Sequence, residues 1–281
     1  MELHVLLAVL VAAVCHAAWN AMLKLDVEPI VAVSLISVGC GIVALPVLPF
    51  LPLPEPVSWP YVLASLALHL CYYLALAEAY RHGDLGQVYP IARGTAPLMT
   101  ALGATALFGE ILAPTAWAGI AVLSTGILIL AFAGGRGLGR LDRRSVLFAL
   151  LTSATISAYT LVDGQGARLS GSAIAYVAWL LLLDGIMMLA FGLWLRGGSF
   201  TLAARRNLTM TIAGGALSAI AYGTALWAMT LAPIALVAAA RETSVLFATL
   251  IGILWLGEPV RYTRIAAVAL AFTGVLLLRL A

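Results

Sequence analysis

Residues 89–110 read YPIARGTAPLMTALGATALFGE, and residues 237–258 read VAAARETSVLFATLIGILWLGE. At an offset of 148 positions, Arg93 falls on Arg241, Thr95 on Thr243, Leu98 on Leu246 and Leu102 on Leu250. Gly109-Glu110 falls on Gly257-Glu258, Thr115 on Thr263, and Thr125-Gly126 on Thr273-Gly274. Roughly 14 of about 39 positions match without a gap, which makes this an internal repeat. Apolar stretches share leucine and alanine easily. They do not easily share an arginine and a Gly-Glu turn in register.

The apolar context of the repeat extends over the whole chain. Of 281 residues, 63% are hydrophobic and 10% charged, against about 25% charged in soluble domains. So much apolar surface cannot be hidden inside a body of this size, so its solvent is lipid. A membrane helix needs roughly 20 apolar residues. Spans are predicted at 3–24, 29–50, 58–81, 85–108, 114–134, 145–163, 172–195, 208–230, 234–256 and 261–280. The prolines at 49, 52, 54 and 56 end the second span. The expected fold is all-α integral membrane: ten transmembrane helices as two inverted five-helix repeats around a central cavity. Its parts are a first half at 1–135, a basic linker at 136–144 and a second half at 145–281. An odd helix number per half inverts the second copy, an arrangement common in secondary transporters.

The loops joining spans 1–2, 3–4, 5–6, 7–8 and 9–10 hold Lys24, Arg81, Arg136, Arg140, Arg143, Arg144, Arg196, Arg205, Arg206, Arg261 and Arg264. The other side holds Arg168 and Arg279. Basic loops face the cytoplasm, so both termini are predicted outside, with the chain multi-pass in a bacterial inner membrane. A cleaved signal peptide is disfavoured at the N-terminus, because residues 1–4 carry no Lys or Arg and the apolar run continues to Lys24. The three cysteines, Cys15, Cys40 and Cys71, sit singly in apolar runs and read as packing residues, not as metal ligands.

His16-Ala-Ala-Trp19-Asn20, the stretch Tyr89-Pro-Ile-Ala-Arg93-Gly94 and the paired Gly-Glu turns resemble the drug/metabolite transporter superfamily, in its ten-helix form with two EamA-type halves. The resemblance covers essentially the whole chain. It implies a basket of helices lined by spans 1, 3, 4, 6, 8 and 9, with spans 5 and 10 peripheral. It also implies export or exchange of metabolites, including amino acids.

Charges inside a bilayer face protein or a wet cavity. Arg93 and Arg241 are therefore candidates to hold an anionic group through the guanidinium fork; snorkelling or pairing inside the protein are the structural alternatives. Glu242 has no mate in the first half and would neutralise an arginine, meet a cationic group or carry a proton. Asp184, near the middle of the seventh span, is the other candidate for proton coupling. Ala12, His16, Asn20 and Lys24 share one face of the first span. His69, Tyr72 and Tyr73 lie halfway along the third. Tyr89, Tyr159 (the repeat mate of Trp19) and Tyr222 complete the candidate lining; aromatic walls stack on organic cargo or hold cations. Tyr176 reads as part of the interfacial aromatic belt. Glu78 and Asp163 read as span-end residues. Gly215, Ala219 and Gly223 read as close-packing positions. Pro90 and Pro97 are expected to disturb the helix around Arg93.

The function that these readings support is a secondary transporter, exporter or exchanger, of small polar metabolites that are amino-acid-like or carboxylate-bearing. A nucleotide sugar or organic cation is the alternative cargo. An intramembrane enzyme is disfavoured, since His4, His16, His69 and His82 lie far apart and no catalytic motif appears. A channel is disfavoured because no ring of like groups repeats. The expected partners are the small-molecule substrate, the lipid bilayer and protons as coupling ion. No cofactor, metal or nucleic acid is expected, and the oligomeric state stays open between monomer and homodimer.

Overall fold

The computed structural model describes residues 1–22, 27–83, 85–133, 142–255 and 262–281. Lys24, Arg136, Arg140, Arg261, the Gly134-Gly135 pair and the Gly257-Glu258 turn lie outside the described residues. Everything regular among the described residues is helical. The helices are α1 (Leu3–Met22), α2 (Pro29–Ala44), α3 (Trp59–His82), α4 (Leu85–Phe108), α5 (Pro114–Ala133) and α6 (Arg143–Leu169). They continue with α7 (Ala173–Arg196), α8 (Gly198–Arg206), α9 (Gly215–Leu231), α10 (Ile234–Arg241), α11 (Ser244–Trp255) and α12 (Tyr262–Leu280). Among the described residues, seven helical segments are long and apolar enough to cross a membrane, and Pro29–Ala44 and Pro114–Leu130 are shorter apolar helices.

Local chemistry sets these boundaries. Pro29 opens α2, where its missing N–H costs nothing. The hydroxyl of Ser172 accepts from the Ala175 amide and caps α7. Gly109 has φ +65°, a left-handed turn that releases the chain from α4. The second span is shorter than expected: α2 stops at Ala44, and a 3₁₀ turn at Leu48–Phe50 leads into the prolines.

The polarity is inside out relative to a soluble protein. Leu3, Leu7, Val11 and Val14 form an exposed apolar stripe on α1, while Arg93, Asp163, Asp184, Arg241 and Glu242 are buried. Polar side chains are thus gathered within the bundle and hydrocarbon is presented outward. Helix pairs approach through small residues. A Cβ on Gly39 would stand 1.8 Å from the Thr211 carbonyl oxygen, and one on Gly215 would stand 2.4 Å from the Gly39 carbonyl carbon. That contact seals α2 against the start of α9. α5 and α12 pack extensively on each other, again across glycine: a Cβ on Gly274 would stand 2.6 Å from the Leu123 amide.

Three local features go beyond what the sequence shows. The loop after the seventh span contains the short helix α8, whose Phe200 is buried and whose C-terminal end carries Arg205 and Arg206. The eighth span opens with a π-helical turn at Met210–Gly214 before α9. The helix break falls in the ninth span: α4 runs unbroken through Pro90 and Pro97, whereas α10 ends at Arg241 and α11 restarts at Ser244. Glu242 and Thr243 form the joint, with 3₁₀-type bonds from Glu242 N to Ala239 O and from Thr243 N to Ala240 O. The break therefore sits at the most charged point of that span.

Candidate functional site

The polar and aromatic residues of the bundle interior converge from eight helices into two adjoining layers. The first layer is ionic. Arg93 on α4 meets Glu242 at the end of α10, Nε to Oε2 at 2.7 Å, with both side chains 4% exposed. The contact is close but not aligned as a hydrogen bond, so both atoms keep directional capacity. From α1, His16 Nε2 lies 3.5 Å from Arg93 Nη2 and accepts from it. Trp19 stands edge-on to His16 at 5.1 Å, and its buried indole N–H has no hydrogen-bond partner among the described residues. Asn20 donates to the His16 carbonyl at 2.8 Å, so that N–H stays on its own helix. Tyr89, one turn before Arg93, lies within the field of Arg93 and Glu242. Arg241 stacks its guanidinium over the Tyr222 ring, 5.4 Å from the centroid, and its Nη1 is buried with no hydrogen-bond partner among the described residues.

The second layer is an aromatic cage on a carboxylate base. His69 stacks on Tyr159 at 4.5 Å between ring centroids and meets Tyr222 edge-on at 5.9 Å. Tyr72 packs on Tyr73 and on the edge of Tyr159. Beneath them Asp163 is completely buried. It accepts from Ser65 Oγ at 2.8 Å, from the Tyr176 hydroxyl at 2.9 Å and from the Tyr222 hydroxyl. Asp184 accepts from the Tyr73 hydroxyl at 3.3 Å, and Ser37 shares a hydrogen bond with that hydroxyl at 3.0 Å. The other Asp184 oxygen is buried with no hydrogen-bond partner among the described residues.

Two sequence readings are overturned here. Asp163 is no span-end residue, because α6 continues to Leu169 and places it inside the bundle. Tyr176 is fully buried and donates to Asp163, so it does not belong to an interfacial belt. The spacing carried a signal: Ser65, His69 and Tyr73 recur every four residues on α3, as do Tyr159 and Asp163 on α6. Glu78 does lie at a helix end, paired with Arg81 and His82. Trp179 meets Trp59 edge-on and takes no part in the cage.

A second ionic device lies at the opposite end of α10 from Arg241. Glu110, from the Gly-Glu turn after α4, accepts from the Ile234 amide at 2.8 Å and the Ala235 amide at 3.3 Å. It also pairs with Arg168 at 2.9 Å. Arg168 in turn donates to the carbonyls of Met229 and Ala232, at 2.8 and 2.9 Å. A carboxylate thus caps the first turn of α10, where unpaired N–H groups and the helix dipole favour negative charge. Two surface cavities lie away from the layers: about 720 Å³ beside Met1–Leu7 and Arg279, and about 280 Å³ beside Arg168 and Trp227.

Among solved structures, one titled only as the crystal structure of a protein superposes with a TM-score of 0.76 at 20% identity, over 98% of this chain and 95% of that one. At that identity the likeness is one of fold. A search of the curated proteins gives no match. The sequence matches the EamA-like transporter family over residues 3–132 and again over 143–280. Its two matched segments carry the arginines of the ionic layer, Arg93 and Arg241, and the multi-pass helical architecture of a membrane transporter accompanies them. The chain belongs to the EamA-like transporter family.

Proposed function

We propose that the chain is a secondary transporter that moves small polar, carboxylate-bearing metabolites, amino-acid-like in size and charge, by alternating access between the two sides of the membrane. The proposal includes ten spans in two inverted halves, 1–135 and 145–281, joined by the linker 136–144. It places both termini outside a bacterial inner membrane and makes the chain an exporter or exchanger.

The observation that carries the reading is Arg241. It is buried, stacked on Tyr222, and holds an Nη1 donor without a hydrogen-bond partner among the described residues. A buried guanidinium with an open donor is costly, and a carboxylate is the group that its fork fits best. Trp19 Nε1 adds a second unpaired buried donor on the α1 side of the same layer. The cage of His69, Tyr72, Tyr73, Tyr159 and Tyr222 supplies a surface for an organic body. Asp184, with one open oxygen, suits an ammonium group or a proton. Glu242 is occupied by Arg93, and it becomes available to a proton or cation when that pair opens.

Ligands come from a thermal-shift screen of the purified protein against amino acids and short carboxylates; counterflow into proteoliposomes then measures transport of each hit. Arg241→Ala and Arg93→Ala are expected to weaken the apparent affinity at least tenfold, since a charge-assisted pair contributes about 1.5–3 kcal/mol. Transport and affinity unchanged in both variants would refute the carboxylate receptor.

A further inference from the structure

The chain leaves α7 through Gly197, whose φ of +53° is a left-handed conformation that glycine adopts freely. α8 follows over the nine residues Gly198–Arg206. At 1.5 Å per residue it is about 14 Å long, far short of a crossing. It is nevertheless anchored. Phe200 is 1% exposed, and its ring rests on Gly192, where a Cβ would stand 2.5 Å from Phe200 Cε2. Half-buried Ala203, Ala204 and Asn207 extend the same face at i+3, i+4 and i+7, and α8 packs with it on α7 and α2. The stretch joining α2 to α3, 45–58, is built differently: its helical turns are 3₁₀, and it carries one carboxylate, Glu55, and no basic residue.

The opposite face of α8 points away from the protein. Leu202 is 48% exposed there. Arg205 and Arg206 follow it by three and four residues, so they flank it one turn on, and both are exposed. Neither has an acidic partner among the described residues, whereas Arg196, just before the Gly197 turn, pairs with Glu28. Trp194, two residues before Arg196, is 80% exposed, which suits an indole at headgroup depth. Leu208, just beyond α8, is exposed as well. A leucine between two guanidinium groups, close in the chain to an exposed tryptophan, is the chemistry of a helix lying in the membrane–water interface. We propose that α8 lies in that interface and that Arg205 and Arg206 together bind the phosphodiester of an anionic phospholipid, with Leu202 set at the top of its acyl chains.

Charge and shape select this occupant. A guanidinium fork matches two phosphate oxygens. A zwitterionic headgroup brings its own cation, whereas an anionic one brings the net charge that two arginines complement. A soluble phosphate would satisfy the arginines but leave Leu202 and Leu208 in water. The helix dipole favours cations in the last turn of α8, which accounts for arginine at that end but not for the exposed leucine between the two. The anchoring by Phe200 matters because it holds both guanidinium groups on one fixed scaffold, so that one headgroup can meet them together. The site lies outside the ionic and aromatic layers, and the inference does not rest on the reading of the cargo.

Native mass spectrometry of the full chain, released from micelles that contain phosphatidylglycerol or phosphatidylcholine, reads bound lipid by mass. The tightest site is expected to prefer phosphatidylglycerol. Replacing both arginines, Arg205→Gln with Arg206→Gln, should weaken that binding about 25-fold, at about fivefold for each arginine near the membrane surface, and leave phosphatidylcholine unaffected. Leu202→Glu sets a carboxylate between the arginines and should also abolish the preference; it carries the test where the double variant does not fold. Arg143→Gln with Arg144→Gln removes the same charge from the exposed start of α6 and should leave the preference intact. Equal affinity for the two lipids would overturn the proposal, as would phosphatidylglycerol binding retained without Arg205 and Arg206. An equal loss in the Arg143 and Arg144 variant would show diffuse attraction in place of a site. Competition by soluble glycerol phosphate as effective as that by the lipid would show a free-anion site, and either result would overturn the proposal too.

Discussion

Removing the Glu110 carboxylate should loosen α10 at one end and disturb Arg241 at the other. Glu110→Ala removes two hydrogen bonds shorter than 3.0 Å and one of 3.3 Å. Hydrogen bonds to a charged group contribute about 1.5–3 kcal/mol each. The Arg168 side chain is 28% exposed and keeps two carbonyl acceptors, so part of its loss is recovered by water. The Ile234 and Ala235 amides belong to a first helical turn, where losing a cap costs about 1 kcal/mol. Together these give about 2–4 kcal/mol for Glu110→Ala. Glu110→Gln keeps a neutral acceptor and should cost about half as much, on the ratio of charged to neutral bonds. Equilibrium unfolding in mixed micelles reads both values. A Glu110→Ala change under about 0.5 kcal/mol, the range of ordinary surface substitutions, would refute the reasoning. The double variant with Arg168→Ala should show coupling above about 0.5 kcal/mol, as expected of groups in contact. α10 is eight residues long, so the Glu110 grip lies only about 12 Å from Arg241. A loosened α10 should therefore also weaken cargo affinity.

Gly39→Leu would drive a side chain into the Thr211 carbonyl, and its melting temperature should fall by more than that of any overpacked variant costing about 1–3 kcal/mol; a melting point equal to the unaltered protein's would contradict the close α2–α9 contact. Tyr222→Phe removes one donor from Asp163 but keeps the ring under Arg241, a loss of about 1–3 kcal/mol. Tyr222→Leu should lose a further 0.5–2 kcal/mol, roughly the contribution of a cation–π contact, and equal unfolding free energies for the two variants would show that the stacking contributes nothing. For orientation, single cysteines replace the exposed Thr201 and Thr230 in a background lacking the native cysteines. An impermeant thiol reagent should reach position 230 from outside the cell and position 201 only from the cytoplasmic side; the reverse pattern would invert the topology.

Much of the architecture was legible in the sequence because lipid imposes a single coarse requirement, a long apolar run for each crossing. The Arg93 and Arg241 register was legible because a charge within such a run is rare enough to align on. Breaks and spans within the runs were harder to read. α4 stays helical through the prolines at 90 and 97, whereas, among the described residues, the one helix break between paired segments falls at Glu242 and Thr243, where no proline stands. Backbone bonds can be satisfied locally around a membrane proline, so proline alone does not fix a break. Asp163 reads as a span end because it is the first carboxylate after an apolar stretch, whereas three hydroxyls from α3, α7 and α9 allow α6 to carry that carboxylate inside the bundle. The partners come from residues 65, 176 and 222, and no local pattern announces contacts over such separations. Glu110 illustrates the same limit: the Gly-Glu turn stood out as a repeat, but its grip on α10 joins positions 124 residues apart.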